Sequence, residues 1–516
     1  MLNKKRLRRR QRGEVKEATE AKPVWVGLMG GSYKPLAEAD LAQIYETALA
    51  VLAEIGLAEP IPALLEVVLP RGCVLGENGR LCFPRSLVEA AIAHSPKQII
   101  YHAPNPNNDQ VLDGNTMLFG TSGEGVTILD YKTRRYRPST LLDLYDAGRL
   151  VDQLEHIHTF GQPFIASEFS HDLLTHDINV AYAELAATNK PFHMGLGTAA
   201  HVDRIIAMFD LFVGGKGEFV KRPFCSFGGC PIVSPLTFAR DSLEVMMRCA
   251  ELGITYDVAV AAQAGATAPA ALAGCLVQTF AETLACLTVT YLINPQAPML
   301  FGMWPFISDL RTGAFSGGGA EQTLVMAATA QLCAHYGLVS SVASGMTDAN
   351  MPDGQAGFEK GISTVVAALA GGNSISPYPG AVGSLMGSSL EAFLIDNEMM
   401  GMVMRVVRGI EVDESTLSFD VIRETVNGPG HYLGNPQTID LMKSEFLYPT
   451  LADRRDTTTW EEAGSPTIYE RAHRRVRTML RDYYPAYIAP ELDRQIRAQF
   501  DIRLPMEMMR VGNGRW

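Results

Sequence analysis

One pattern constrains this chain more than any other. From residue 117 to about residue 410 a short apolar strand ending in Gly or another small residue is followed by a helical stretch, and the unit then repeats. The strand candidates are MLFGT (117–121), HIHTFGQP (156–163), PFHMGLG (191–197), PFCSFGG (223–229), ITYDVAVA (254–261), APMLFGMW (297–304), LVSSVASG (338–345) and NSISPYPG (373–380). Successive units start roughly 30–45 residues apart, a fitting length for a strand, a crossover helix and two loops. Alternation of this kind makes a parallel sheet covered by helices. Eight units favour a closed (β/α)8 barrel over an open doubly wound sheet. No GxGxxG opens any of the helices, which argues against a dinucleotide fold.

The barrel is expected over 115–411. Residues 1–35 read as a basic, disordered tail, 36–114 as an N-terminal helical region, and 412–516 as an appendix packed on the barrel. The stretch NTMLFGTSGEGVTILDYKTRRYRPST (115–140) reads as strand, turn, strand about Gly-Glu-Gly. With 516 residues, 47% of them hydrophobic, the chain can bury a large core. Its formal net charge of −12 does not suit a nucleic-acid surface. The exception is KKRLRRRQR (4–12), a like-charge block that reads as solvated tail. No apolar segment follows it, so it is not a secretory signal. The eight cysteines form no CxxC and sit mainly in apolar segments, as reduced thiols do, and a cytoplasmic location is expected. The run 272–293 contains Gln278, Glu282 and several Thr, and reads as a core helix, not a membrane span.

If the chain is a barrel, chemistry belongs at the C-terminal ends of the strands. GMTDANMPDGQAGFEKG (345–361) follows the seventh strand. It fails as a calcium loop: counted from Asp348, Pro352 and Asp353 stand where an oxygen ligand and the turn glycine belong. Glu359 lies in or near the first turn of the next helix, where a carboxylate is favoured. Asp348, Asp353 and Gln355 either face the mouth as polar, orienting groups or serve as helix caps and loop braces. After the sixth strand, Trp304, Phe306, Asp309 and Arg311 either hold a cation between rings and an anion at the guanidinium, or form a packed lid with an internal ion pair. Further candidates for substrate contact are Tyr256 within the fifth strand, Tyr378 at the end of the eighth, and His193 within the third. His156 and His158 form an HxH pair, but at the start of a strand and with no HExxH or Cys/His cluster, so zinc is disfavoured. Neither a GxSxG elbow nor a Walker loop occurs.

A series of segments in order then carries a resemblance. CPIVSPLTF (230–238), AGATAPAALAGCLVQTFAETLA (264–285), DLRTGAFSGGGAEQTL (309–324), TDANMPDGQAGFEK (347–360), IDNEMMGMVMRVVRGIEVDE (395–414), GHYLGNPQT (430–438) and FLYPTLADR (446–454) resemble the trimethylamine methyltransferase family. The resemblance implies a TIM barrel acting with cobalamin, the corrinoid carried by a small corrinoid-binding protein. Archaeal members that demethylate trimethylamine carry pyrrolysine. This chain has only the twenty standard residues, which is the pattern of members resembling glycine betaine methyltransferases. The resemblance thus implies methyl transfer from a small quaternary amine, with Arg311, His193 or His431 anchoring a substrate carboxylate. A homo-oligomer is expected. A zinc-dependent barrel hydrolase or methyltransferase and a non-catalytic quaternary-amine-binding relative are the alternatives.

Overall fold

The computed structural model describes residues 22–376 and 378–516; the basic block at 4–12 lies outside them. Eight parallel strands form one sheet: β1 (Leu118–Phe119), β2 (Phe160–Gly161), β3 (Phe192–Gly195), β4 (Cys225–Gly229), β5 (Tyr256–Val258), β6 (Met299–Gly302), β7 (Ser340–Ala343) and β8 (Ser374–Ser376). One strand lies within each of the eight apolar segments. β8 pairs with β1 at Ser374–Leu118 and Ile375–Phe119. The ring closes between β1 and β2, where Gly120 bridges Thr159 and the amide of His158 donates to the Phe119 carbonyl at 2.7 Å. The architecture is a (β/α)8 barrel.

The covering helices are α1 (Leu141–Asp152), α2 (Leu173–Ala187), α3 (Ala199–Val213), α4 (Arg240–Leu252), α5 (Leu272–Ile293), α6 (Ala320–Tyr336), α7 (Gly354–Ala370) and α8 (Leu390–Arg408). α5 is long and apolar enough to span a membrane, but most of it from Cys275 to Thr290 is buried, packed against the N-terminal helices Glu38–Ala50 and Arg85–His94 as well as β6. Short apolar strands and buried helix faces make one large core, as expected where both sheet faces are covered, and a smaller cluster of Ile99, Tyr101, Leu112, Leu118, Leu300 and Val339 lies beside it.

The N-terminal region is not wholly helical. Two small antiparallel pairs lie in it, Val74–Leu75 with Leu81–Cys82 and Gln98–Tyr101 with Gln110–Asp113. Gln98–Tyr101 alternates exposed and buried side chains, the period-2 signature of a strand. It brings Tyr101 to the barrel, where the hydroxyl donates to Asp257 of β5 at 3.1 Å. Ser226 of β4 donates to the same carboxylate at 3.1 Å, and burial pushes the Asp257 carboxyl up to about 7.

At the C-terminal side, helix Ile468–Asp482 buries Tyr469, Ala472, Val476 and Leu480, a helical i, i+3, i+4 stripe, and packs against α8 and α1.

The stretch about Gly-Glu-Gly is not a hairpin turn. The antiparallel pair that follows β1 is Thr127–Leu129 with Tyr136–Pro138, and its turn is 130–135. Asp130 builds that turn by accepting from the amides of Lys132 and Thr133 at 3.1 and 2.8 Å. Gly123-Glu124-Gly125 is instead the loop leaving the end of β1, held by the Gln162 and Pro163 carbonyls beyond β2.

Candidate active site

The C-terminal face of the barrel is walled by three small sheets made from loops. The loop after β8 pairs with the hairpin after β1 (Gly387 with Thr127), the loops after β5 and β6 pair with each other (Gln263 with Phe306), and the loop after β4 folds on itself. At this end the strands carry Gly161, Gly195, Gly228, Gly229 and Gly302. Barrels usually fill this space with branched side chains. Here Gly195, Gly228, Gly229 and Cys230 keep solvent access, so the barrel centre stays open at the mouth.

Four of the sequence candidates meet there or at its rim. Trp304 and Tyr378 stand edge to face with ring centres 6.2 Å apart, and so form two walls of a corner. Phe306 lies 6.4 Å from Trp304 and 4.8 Å from Phe315. The Trp304 indole is pinned, its Nε1 donating to the Ser341 carbonyl at 3.2 Å. Tyr378 is buried and has φ +42°, a left-handed conformation that a bulky residue holds only when its surroundings impose it. Lys360 of α7 supplies the constraint: its buried Nζ donates to the Tyr378 carbonyl at 3.0 Å and pairs with Asp396 of α8 at 2.8 Å. Asp396 also accepts from the Gly380 amide at 2.8 Å. The Tyr378 ring rests on Gly123, where a Cβ would come within 3.1 Å of it, and only glycine takes the local φ of +130° without strain.

Asp348 is a brace. Its carboxylate accepts from Ser316 Oγ (2.7 Å) and the Gly317 amide (2.8 Å) after β6, and from Ser384 Oγ (2.7 Å) after β8. Three mouth loops are thereby tied to one side chain. Glu359 stabilises the same loop, accepting from Thr347 Oγ1 and the Asp348 amide, and from Gln355 Nε2 at 2.9 Å. Asp353 is the N-cap of α7, accepting from the Gln355 and Ala356 amides.

The other candidates are placed elsewhere. Arg311 has a side chain 88% exposed and is clamped on its neighbour Asp309 at 2.8 Å, so it points to solvent and away from the Trp304 corner. His431 is exposed on a segment beyond α8. Tyr256 is buried in the core with its hydroxyl donating to the Ser242 carbonyl. His193 is the exception: from β3 its ring reaches into the barrel beside the mouth-end Gly161, where a Cβ would come within 1.9 Å of its Nε2; a small cavity shared with Tyr101 and Phe224 reaches it from the other end, and burial pushes the ring down to about 4. Of the HxH pair, His158 accepts from the Phe119 amide at 2.9 Å and is driven down to about 3, mainly by burial, while His156 packs against Gly401. Among the described residues no group of three His, Cys, Asp or Glu could hold a metal.

The structure adds residues that the sequence reading did not single out. Glu124 keeps solvent access yet is walled by protein, and that enclosure raises its carboxyl above the usual range. It lies against the end of β3, where a Cβ on Gly195 would come within 2.3 Å of its Oε1. Burial above all, then the nearby Cys230 thiol and Glu124 carboxylate, hold the Tyr378 hydroxyl far above its ordinary pKa. Beside Glu124, buried Asp177 of α2 binds two imidazoles through Nδ1, His176 at 3.0 Å and His201 of α3 at 2.7 Å, and accepts from the Gly197 amide at 2.9 Å. Both rings are 13% exposed, and each keeps Nε2 for another partner. Gln162 Nε2, Ser344 Oγ and Ser388 Oγ, all at strand ends or loops of this face, are buried without a hydrogen-bond partner among the described residues. Unpaired buried polar atoms of this kind are where water or a ligand completes a site.

A (β/α)8 barrel that gathers an aromatic corner, a carboxylate and an aspartate-braced histidine pair at its C-terminal mouth has the architecture of the barrel enzymes. A family model for trimethylamine methyltransferase (MTTB) matches residues 4–506, and the chain belongs to that family. It is 30% identical over 476 residues to the glycine betaine methyltransferase of Desulfitobacterium hafniense strain Y51, covering 92% of this chain and 98% of that one. It is also 30% identical over 468 residues to the trimethylamine methyltransferase MttB of Methanosarcina barkeri, covering 90% and 93%. Among solved structures, the monomethylamine methyltransferase MtmB of Methanosarcina barkeri aligns over 89% of this chain and 95% of that one, at 13% identity and a TM-score of 0.45. The chain is an enzyme of the methyltransferase class.

Proposed function

We propose that this chain moves a methyl group from a small quaternary amine, glycine betaine or a close relative, to the cobalt of a corrinoid carried by a small partner protein in the cytoplasm. The observation that carries the reading is the Trp304–Tyr378 corner with the Glu124 carboxylate beside it. Aromatic faces and a carboxylate are what a methylated ammonium seeks, since it offers no N–H to a hydrogen-bond acceptor. The corrinoid supplies the nucleophile; this chain binds, orients and desolvates the amine.

A quaternary ammonium leaves as a neutral tertiary amine, so methyl transfer from it needs no general acid. Positive charge leaves nitrogen in the transition state, and a full counter-charge against it would favour the ground state. The enclosure that raises the Glu124 carboxyl moderates that charge. Trp304 is held by its Nε1 bond and Tyr378 by the Lys360–Asp396 pair, so the corner is rigid before substrate arrives. With Arg311 turned to solvent, the anion anchor of a betaine falls to His176 and His201. Asp177 fixes both rings through Nδ1, and a protonated ring would donate its Nε2–H to a substrate carboxylate.

The test is to incubate purified protein with reduced cob(I)alamin and glycine betaine, carnitine, proline betaine or trimethylamine, and to follow cobalamin methylation by absorbance. Turnover of a betaine is expected. Turnover of trimethylamine alone would overturn the substrate reading. Binding of tetramethylammonium with no methylation from any amine would favour a non-catalytic amine-binding role.

A further inference from the structure

A cavity of about 570 Å³ lies at the opposite end of the barrel from the mouth, bounded by the residues that lead into β2 and β3. That is the size of a small-molecule site and far larger than a packing defect. A strap at 23–28 runs along its edge, tied by the Pro23 carbonyl to Arg408 at 3.0 Å and by the Leu28 carbonyl to the Met117 amide at 2.9 Å. The strap carries Trp25 to the rim, 44% exposed, with the Arg408 guanidinium 5.3 Å over its ring. The charged groups of the wall already have partners. Asp152 accepts from Thr188 Oγ1 at 2.7 Å and the Asn189 amide at 2.9 Å through one oxygen, and from the Tyr483 and Tyr487 hydroxyls through the other. Lys190 gives its three ammonium hydrogens to the Val151, Leu154 and Ile157 carbonyls. Glu155 pairs with Lys22 at 2.8 Å.

The remaining groups of the wall are uncharged and oriented. Asn108, Gln110 and Gln153 fix their amide NH2 groups on the Asn189, Asn108 and Arg149 carbonyls, each at 3.0 Å, so their side-chain oxygens are acceptors without a partner among the described residues. Donors are fewer. Asn105 offers its Nδ2, since its Oδ1 already accepts from the Asn107 amide at 3.1 Å. His158 offers Nε2–H: its Nδ1 accepts from the Phe119 amide at 2.9 Å, which puts the proton of the neutral ring on the other nitrogen. That N–H has no partner among the described residues, although the side chain lines the cavity and is only 7% exposed, and such a group calls for a ligand or water. An excess of acceptors selects a ligand rich in donors, and the paired charges select one without charge. Hydroxyl groups meet both conditions, because each donates to an amide oxygen and accepts from an N–H. An indole at the rim suits the C–H face of a sugar ring. We propose that this cavity is a second binding site, for an uncharged sugar held by the Asn108, Gln110 and Gln153 oxygens and His158 Nε2–H, with Trp25 against the sugar ring. The site stands whatever amine the mouth takes.

Titration calorimetry of the full chain with glucose, trehalose and the open-chain polyol sorbitol tests this, with inorganic phosphate as a charged control. One-site binding of glucose or trehalose is expected, with sorbitol weaker because it offers the indole no ring face. Gln153→Met and His158→Asn are each expected to weaken binding about tenfold, the loss of one hydrogen bond in an enclosed site. The asparagine keeps an acceptor for the Phe119 amide, and the methionine removes only a side-chain amide at the end of α1. Trp304→Ala, at the mouth, should leave sugar affinity unchanged. Hydrogen exchange gives a second readout, with the sugar slowing exchange across 22–28 and 153–158 and leaving the mouth loops as they were. No saturable binding of either sugar overturns the proposal, and so do variants that bind like the wild type. Sorbitol bound as tightly as glucose overturns the sugar-ring contact, and phosphate that displaces the sugar overturns the uncharged class. Sugar affinity lost in Trp304→Ala moves the sugar to the mouth and also overturns it. So does sugar binding that appears only once residues 1–21 are removed, which would make the cavity's occupant part of its own chain.

Discussion

The buried Lys360–Asp396 pair gives the sharpest test of how the site is held. Both side chains are nearly inaccessible, at 2% and 5%, and the pair is 2.8 Å long. Replacing Lys360 by Met removes the cation, the bond to the Tyr378 carbonyl at 3.0 Å, and the compensation of a buried carboxylate. Breaking one partner of such a pair costs about 3–5 kcal/mol, because the remaining charge has no water to turn to. Asp396, already raised by burial, should rise further once the cation is gone and take up a proton more readily at lower pH, which limits the loss there. Lys360→Met is therefore expected to lose about 3 kcal/mol of unfolding free energy at pH 8 and less at pH 5. Adding Asp396→Leu removes the orphaned charge, and the double variant should recover more than half of the loss. Urea unfolding of the four proteins at both pH values measures the cycle. In parallel, the double variant should still bind tetramethylammonium more weakly than wild type, since nothing then holds Tyr378 in its left-handed conformation. A single variant within 1 kcal/mol of wild type, or a double variant no better than the single, would refute the argument.

Three further outcomes are expected. Trp304→Ala should weaken quaternary-amine binding by about 1–2 kcal/mol by titration calorimetry, the worth of a desolvated cation–π contact, and an unchanged affinity would return the ring to a packing role. In the wild type, affinity for tetramethylammonium, which has no carboxylate for the histidines, should rise with pH as Glu124 ionises, whereas Glu124→Gln should bind it with no such dependence; parallel pH profiles would exclude Glu124 from the amine's surroundings. Asp257, held at about 7 in the fold against about 3.9 in the unfolded chain, keeps a proton the unfolded state has lost. Its contribution therefore lowers stability as pH rises from about 4 to 7 and is level above that, with a ceiling of about 4 kcal/mol. Asp257→Asn keeps a partner for Tyr101 and Ser226, so its stability relative to wild type should grow over that pH range, and a constant difference would show that the carboxyl is not buried as described.

The barrel was legible from the sequence because its signal is periodic and local. Each of β1–β8 is a short apolar run, and each is followed by a segment with helical spacing, so the count of eight required no knowledge of contacts. For Asp353 the sequence left two readings open, mouth-facing group or helix cap, and the structure gives the cap, which bonds amides two and three residues away. The site was legible only in part. Trp304, Phe306, Tyr378 and Asp348 lie immediately after strands, and the barrel rule points to such positions. What a loop side chain faces depends on how several loops pack together, and sequence spacing does not carry that. Arg311 turned outward because Asp309, two residues away, satisfies it at once. Gly-Glu-Gly looked like a hairpin turn, yet the carbonyls of Gln162 and Pro163 draw it across the mouth and carry Glu124 to the end of β3. Asp177 meets His201 across 24 residues and Lys360 meets Asp396 across 36, contacts that form only once neighbouring helices are wrapped on the sheet. The chain's local pattern determined how many barrel strands and barrel helices there are, while the small antiparallel pairs at 74–113 and the loop sheets at the mouth form only in tertiary contact. Closure of the ring, by bringing the ends of distant strands together, decided which charged groups share one cavity.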